Sequence, residues 1–195
     1  MKSLRALGGR PFRVMDAEEL GVPAYELRRL RDSGDLIDLG RGVYQRADAP
    51  PSATIDLAAV STRVPHGTIS LNSAMAYWDL TDEIPSTVHL SVPRGAHRPR
   101  ISYPPTTVHV FAADTFELGR IRREGDEGSE FWIYSPERTV IDAMRLRRIV
   151  GRDQALEALR RYLTFTGSRP AELMDLADAL RASGPVRHAL EVLLR

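Results

Sequence analysis

The sequence predicts a mixed α+β protein in two modules: a small N-terminal one, then a small, mainly antiparallel sheet packed by several α-helices. Three observations predict it. A tandem Pro50–Pro51 in "ADAPPSAT" disfavours helix before it and marks a boundary, giving modules over residues 1–48 and 52–195. Runs rich in β-branched and aromatic residues, separated by turn formers, fill the middle of the second module. From Ser135 onward the apolar residues repeat at helical spacing.

In the first module, "MDAEELG" offers Asp16 as an N-cap with Glu19 three residues later, the spacing of a capping box, and Gly21 ends that helix. "VPAYELRRLRDSG" then starts a second helix with Pro23 at its first position and closes at Gly34. At about 100° per residue, Leu27 and Leu30 fall on one side, with Tyr25, Arg28, Arg29 and Asp32 roughly opposite. "DLIDLGRGVYQR" follows as two strand-like segments around the tip Gly40-Arg41-Gly42. Two short helices across a tight Gly-Val turn, with a hairpin behind them, make the outline of a winged helix-turn-helix.

The second module opens with the helix "TIDLAAVSTRV", halted by Pro65. "SLNSAMAYWDL" comes next, with Ser70 as cap and Leu71, Ala74, Met75 and Trp78 on an apolar face. "TVHLSV", "TTVHVF" and "SEFWIYS" read as strands, and "FELGRIRRE" as a further one. In "SPERTVIDAMRLRR", Ser135 is the N-cap, Pro136 takes N1, and Val140, Ile141 and Met144 share a face. Arg148 occupies the next position on that face, so the helix ends or leaves the core near it. Arg138 and Asp142 stand at i,i+4, the spacing of an ion pair on the helix surface. "DQALEALRRYL", "PAELMDLADALRA" and "PVRHALEVLLR" complete four amphipathic helices.

Composition narrows the function. The formal net charge of +1 means that any DNA binding rests on a local patch and not on bulk charge. Zero cysteines exclude disulfides, thiol nucleophiles and cysteine zinc sites. No apolar run reaches membrane-spanning length and no signal peptide is visible, so a cytoplasmic protein without a membrane partner is expected. Phosphate-cradling loops and nucleophile elbows are missing, and the expectation is a protein that is not an enzyme, with no catalytic residue and no cofactor. His89 and His109 lie in strand-like runs and become neighbours if those strands pair, but spacing proposes no third ligand and no metal site is expected.

The candidate site residues are cationic. In a helix-turn-helix the second helix lies in the major groove, which nominates Tyr25, Arg28 and Arg29 for DNA contact. The hairpin becomes a wing on which Gly40 and Gly42 allow close backbone approach and Arg41 reaches a phosphate or the minor groove. Asp32, Asp35 and Asp38 partly offset these charges, and helix-turn-helix modules also dock proteins, which keeps a protein-interaction module as the alternative. "VPRGAHRPRI" holds Arg94, Arg98 and Arg100 without an acid. It reads as a solvated connection between strands, or else as a contact for nucleic acid or an acidic partner.

Across residues 20–165 the chain resembles the AbiEi-family antitoxins of bacterial type IV toxin–antitoxin systems. The resemblance is carried by "LRRLRDSGDLIDLGRGVYQ", "ISLNSAMAYWDLTDEIPSTVHLSVPRGAHRPRI", "TFELG" and "IYSPERTVIDAMRLRRIVGRDQALEALRRYL". It implies a winged helix-turn-helix that binds promoter DNA of its own operon and represses it. It also implies a second domain that neutralises a cognate nucleotidyltransferase-like toxin, whether or not the two proteins touch. The DNA role carries to Tyr25, Arg28, Arg29 and Arg41 by position in the motif. Arg94, Arg98, Arg100, Arg145 and Arg148 stand as possible contacts to DNA or partner. The family usually has a fuller first helix than the few residues before Phe12 provide here, where "KSLRAL" supplies at most a turn or two.

Overall fold

The computed structural model describes residues 3–164 and 166–193; the outermost residues of the two expected modules, 1–2 and 194–195, lie outside them. A 3-10 turn over Ser3–Leu7 takes the place of a longer first helix and delivers Leu4 and Leu7 to the N-terminal core. β1 (Phe12–Arg13), α1 (Val14–Glu19) and α2 (Ala24–Asp32) follow, then the hairpin β2 (Leu36–Asp38) and β3 (Val43–Arg46). The three strands are antiparallel in the order β1-β3-β2, with Phe12 opposite Tyr44. Phe12, Ala17, Leu27, Leu30, Leu36 and Tyr44 close the core around the two leucines of the turn.

Two local readings are corrected here. Asp16 is not the N-cap of α1. It is the third helical residue, and its Oδ2 accepts the backbone N–H of Arg13 at 2.7 Å. Phe12 is buried and paired in β1, so the extended chain turns helical at Arg13, earlier than the capping-box spacing implied. Pro23 likewise sits at the N-cap of α2, because its ψ of 156° is extended. Its carbonyl accepts the first helical N–H groups, from Glu26 and Leu27.

The chain continues with α3 (Ile55–Arg63), β4 (Thr68–Ile69) and α4 (Leu71–Tyr77). Strands β5 (Val88–Pro93), β6 (Thr106–Phe111), β7 (Arg120–Glu124) and β8 (Glu130–Tyr134) precede the helices α5 (Pro136–Arg145), α6 (Arg147–Val150), α7 (Arg152–Thr164), α8 (Pro170–Ala179) and α9 (Ser183–Leu193). The sheet runs β6-β5-β4-β8-β7. It is mixed and not mainly antiparallel: β4/β5 and β7/β8 are antiparallel, whereas β4/β8 and β5/β6 are parallel. Parallel neighbours need a crossover in place of a tight hairpin. The loop 94–105 is that crossover for β5 and β6.

α5 lies at the centre of the main core. Ser135 caps it, accepting the Arg138 N–H at 3.3 Å, and Pro136 stands in the first turn. Val140, Ile141 and Met144 are buried beside Ile133, Leu159, Leu173 and Val186. The helix ends at Arg145. The Arg138–Asp142 pair, expected on the surface, is wholly buried. α5 is covered by α4, α7, α8 and α9, so no face of it is left for solvent at that point. Arg138 Nε donates to both Asp142 oxygens at 3.1 and 3.0 Å, and Nη1 donates to the carbonyls of Thr115 and Leu118. Arg145 Nε donates to Asp142 Oδ1 at 2.7 Å.

A small third cluster lies between the two larger hydrophobic cores. Leu39 and Val43 of the hairpin pack on Ala59 of α3, with Ile55 against them.

Candidate nucleic-acid interface

Burial of Leu27 and Leu30 orients α2, and the residues a half-turn away point outward as a consequence of helical geometry. Tyr25 is 72% exposed, with its ring turned to solvent. Arg28 is exposed beside it. Among the described residues Arg29 is held only by Glu26, at 3.4 Å, with 73% of its side chain accessible. Such an exposed pair is worth well under about 1 kcal/mol, so the guanidinium exchanges it readily for a phosphate. Of the acids that weigh against DNA binding, Asp32 pairs with Arg31 at 2.8 Å, while Asp35 accepts from the Ser33 hydroxyl and Asp38 accepts the Gly40 N–H with their charge retained.

At the hairpin tip, Leu39 N–H donates to Val43 O at 2.9 Å and Val43 N–H to Gly40 O at 3.1 Å. Between them Gly40, Arg41 and Gly42 all adopt positive φ, at 95°, 40° and 79°. A non-glycine residue there costs on the order of 1–2 kcal/mol, so Arg41 occupies a strained position with its side chain in solvent. Gly40 was expected to clear room for a duplex. Its missing side chain instead admits the second module: an added Cβ would lie 2.8 Å from the carbonyl oxygen of Tyr103. The wing tip is thus clamped against the loop joining β5 and β6.

That contact sorts the expected cations. Arg98 and Arg100, on the same loop, share one open concavity with Arg41. Arg94 is exposed in the turn after β5, outside that concavity. Arg145 and Arg148 line a different one with Arg147. Arg145 is further tied to Asp142 and lies over the Phe111 ring. Sequence reasoning passed over Arg63, which ends the mostly apolar α3. Its Nη2 donates to the carbonyl of Arg100 at 2.8 Å, and burial, reinforced by the charge of Arg41, holds its pKa below the usual guanidinium range. No local pattern marked it, because its neighbours come from distant segments.

His89 and His109 do become neighbours. Strands β5 and β6 place their rings in a stack with centroids 5.1 Å apart, and His109 Nε2 lies 3.1 Å from His89 Nδ1. Burial, with the proximity of His109, lowers the His89 pKa to about 4; burial and then Arg98 lower that of His109. No third His, Asp or Glu joins them in a metal-sized group among the described residues.

Residues 1–47 match the family model described as a transcriptional regulator, AbiEi antitoxin. The fold is similar to the crystal structure of the RV2827C protein from Mycobacterium tuberculosis, with a TM-score of 0.54 and 16% identity. The similarity covers 93% of this chain and 76% of that one. No curated protein matches the chain.

Proposed function

We propose that the chain is a DNA-binding antitoxin regulator: residues 1–48 bind promoter DNA of its own operon and repress it, and residues 52–195 act against a cognate nucleotidyltransferase-like toxin. The observation that carries the DNA reading is the free presentation of Tyr25, Arg28 and Arg29 on one face of α2, in a segment matching an antitoxin-regulator family. In this reading α2 enters the major groove, where an arginine grips guanine O6 and N7 bidentately or holds a phosphate. Arg41 meets the backbone from the wing.

The test is a gel shift against the DNA upstream of the gene at several salt concentrations. Binding that prefers this DNA over random duplex, falls steeply with salt and weakens in an Arg28→Ala/Arg41→Ala variant supports the proposal. Equal affinity for random DNA, together with no change in that variant, overturns it in favour of a module that docks protein. The antitoxin role is tested separately: the reading frame beside the gene should encode a nucleotidyltransferase-like protein, and co-expression with the chain should rescue growth from it; no rescue overturns the role.

A further inference from the structure

Where α5 leaves the core, residues of α6, α7 and α9 join it in lining a groove that shares no residue with the concavity at the wing tip. Two adjoining hollows of about 460 and 70 Å³ form it, with Met144, Arg147 and Pro185 common to both. Its floor is apolar: Met144 and Ala189 are buried there, and Leu146, Leu156 and Pro185 are half-buried around them. Ile149 and Val192 also line it, yet they are 54% and 56% exposed. Arg145, Arg147, Arg148 and Arg152 supply its charge, and among the described residues no carboxylate lines it. Of the four, Arg145 alone is held by a carboxylate among the described residues, with its Nε 2.7 Å from Asp142 Oδ1. Stability of the fold does not account for this grouping. Arg147 and Arg148 follow the C-terminus of α5, where a cation suits the helix dipole. Arg152, however, opens α7, where the same dipole disfavours a cation.

We infer that this groove docks an acidic, apolar-faced helical segment of a protein partner, the toxin of the proposed function. The inference rests on the antitoxin reading above and gives it a surface. A helix laid in the groove places its apolar row on Met144 and Pro185 and covers Ile149 and Val192. Carboxylates flanking that row meet Arg147, Arg148 and Arg152, which steer the encounter and fix the register. Methionine and arginine are also residue types enriched where proteins meet. Nucleic acid suits the groove less well. Single strands stack their bases on aromatic rings, and no aromatic residue lines it among the described residues. A duplex presents phosphates and sugars, which leave an apolar floor unused.

The experiment titrates the purified full chain with the nucleotidyltransferase-like protein that the proposed function places beside the gene, and scores growth rescue in parallel. The variants are Ile149→Asp and Arg147→Glu/Arg152→Glu. All three side chains are exposed, and a glutamate at the start of α7 suits the helix dipole, so the urea midpoints should stay at or above the wild-type value. Each variant is expected to weaken the complex at least about tenfold, as loss of a central contact does, and to lose rescue to match. Association of the wild type should slow as salt is raised, and that dependence should shrink or reverse in Arg147→Glu/Arg152→Glu. Affinity for the upstream duplex should remain at the wild-type value in both.

Wild-type rescue with no complex at micromolar concentrations, or rescue and binding unchanged in both variants, overturns the groove and leaves the antitoxin reading standing. Absence of rescue by the wild type overturns both. Two further measurements identify a different occupant, each against the inference. Loss of duplex affinity in Arg147→Glu/Arg152→Glu with toxin binding intact assigns the cations to nucleic acid. Sedimentation of the wild type as a dimer that Ile149→Asp dissociates, again with toxin binding intact, assigns the groove to a second copy of the chain.

Discussion

Arginine serves opposite purposes in α2 and in α5. On α2, Arg28 and Arg29 are exposed and held by at most one weak ion pair. On α5, Arg138 is fully buried, shares Asp142 with Arg145 and lies 4.3 Å from the centre of the Tyr134 ring. Both helices read as charged and amphipathic in one dimension. The difference lies in what covers them: α2 has one face against a small core, whereas α5 is surrounded by other helices. A buried guanidinium must find its counter-charge and acceptors inside the protein, so α5 carries its own carboxylate four residues away. An exposed one has water as its partner and is left available for a ligand.

The sharpest way to break this contrast is to remove Asp142. Asp142→Ala leaves Arg138 and Arg145 facing each other without a carboxylate, and losing one partner of a buried pair costs about 3–5 kcal/mol. Urea unfolding of the full chain should show that loss as a lower midpoint. A loss below about 1 kcal/mol would show that water reaches the pair.

A smaller effect tests the clamp between the modules. Gly34 and Gly40 both have positive φ, at 82° and 95°, but a Cβ at Gly34 meets nothing within 4 Å while one at Gly40 meets Tyr103 O. Gly34→Ala is expected to cost about 1 kcal/mol from backbone strain alone. Gly40→Ala should cost about 1–2 kcal/mol more, because either Tyr103 or the wing must shift. Equal unfolding midpoints for the two variants would refute the clamp.

Most of the element order was legible in the sequence, and the reasons are physical. Leu27 and Leu30 at helical spacing, Ser135-Pro136 at a helix start and the alternation in "TTVHVF" are local signals, and α2, α5 and β6 follow them. β4 escaped because two residues carry no period, although it holds the centre of the sheet. The parallel pairing of β5 with β6 escaped because strand direction depends on the path of the crossover. In the candidate site, the outward face of α2 was legible, since burial of its leucines decides it. The meeting of Arg41 with Arg98 and Arg100 was not, because residues more than fifty positions apart become neighbours only through the docking of the wing.

The paired histidines provide a pH-dependent test of burial. The His89 pKa is lowered to about 4, beneath its unfolded value near 6.5, so folding favours the neutral ring. This contribution is complete above about pH 6.5 and is lost as pH falls toward 4. Burial, and then the charge of Arg98, oppose protonation of His109 in the same direction. Urea midpoints between pH 7 and 4.5 should therefore decline less steeply in His89→Gln than in the wild type. Parallel declines would mean that the ring is hydrated in the folded state.

The smallest expected effect on stability belongs to the residues with the largest assigned role in binding. Arg28→Ala/Arg29→Ala removes no buried contact, and exposed substitutions of this kind change stability by less than about 0.5 kcal/mol. If these side chains are kept for a ligand, the same variant should lose DNA affinity while its urea midpoint stays at the wild-type value. Its salt slope should fall by up to about 0.9 for each arginine that had held a phosphate, and by less where it had read a base edge. A variant that instead unfolds early would place α2 with α5, as a helix whose arginines support the fold. Unchanged stability with unchanged DNA binding would leave the exposed face of α2 to a protein partner, with Tyr25 as its most exposed aromatic anchor.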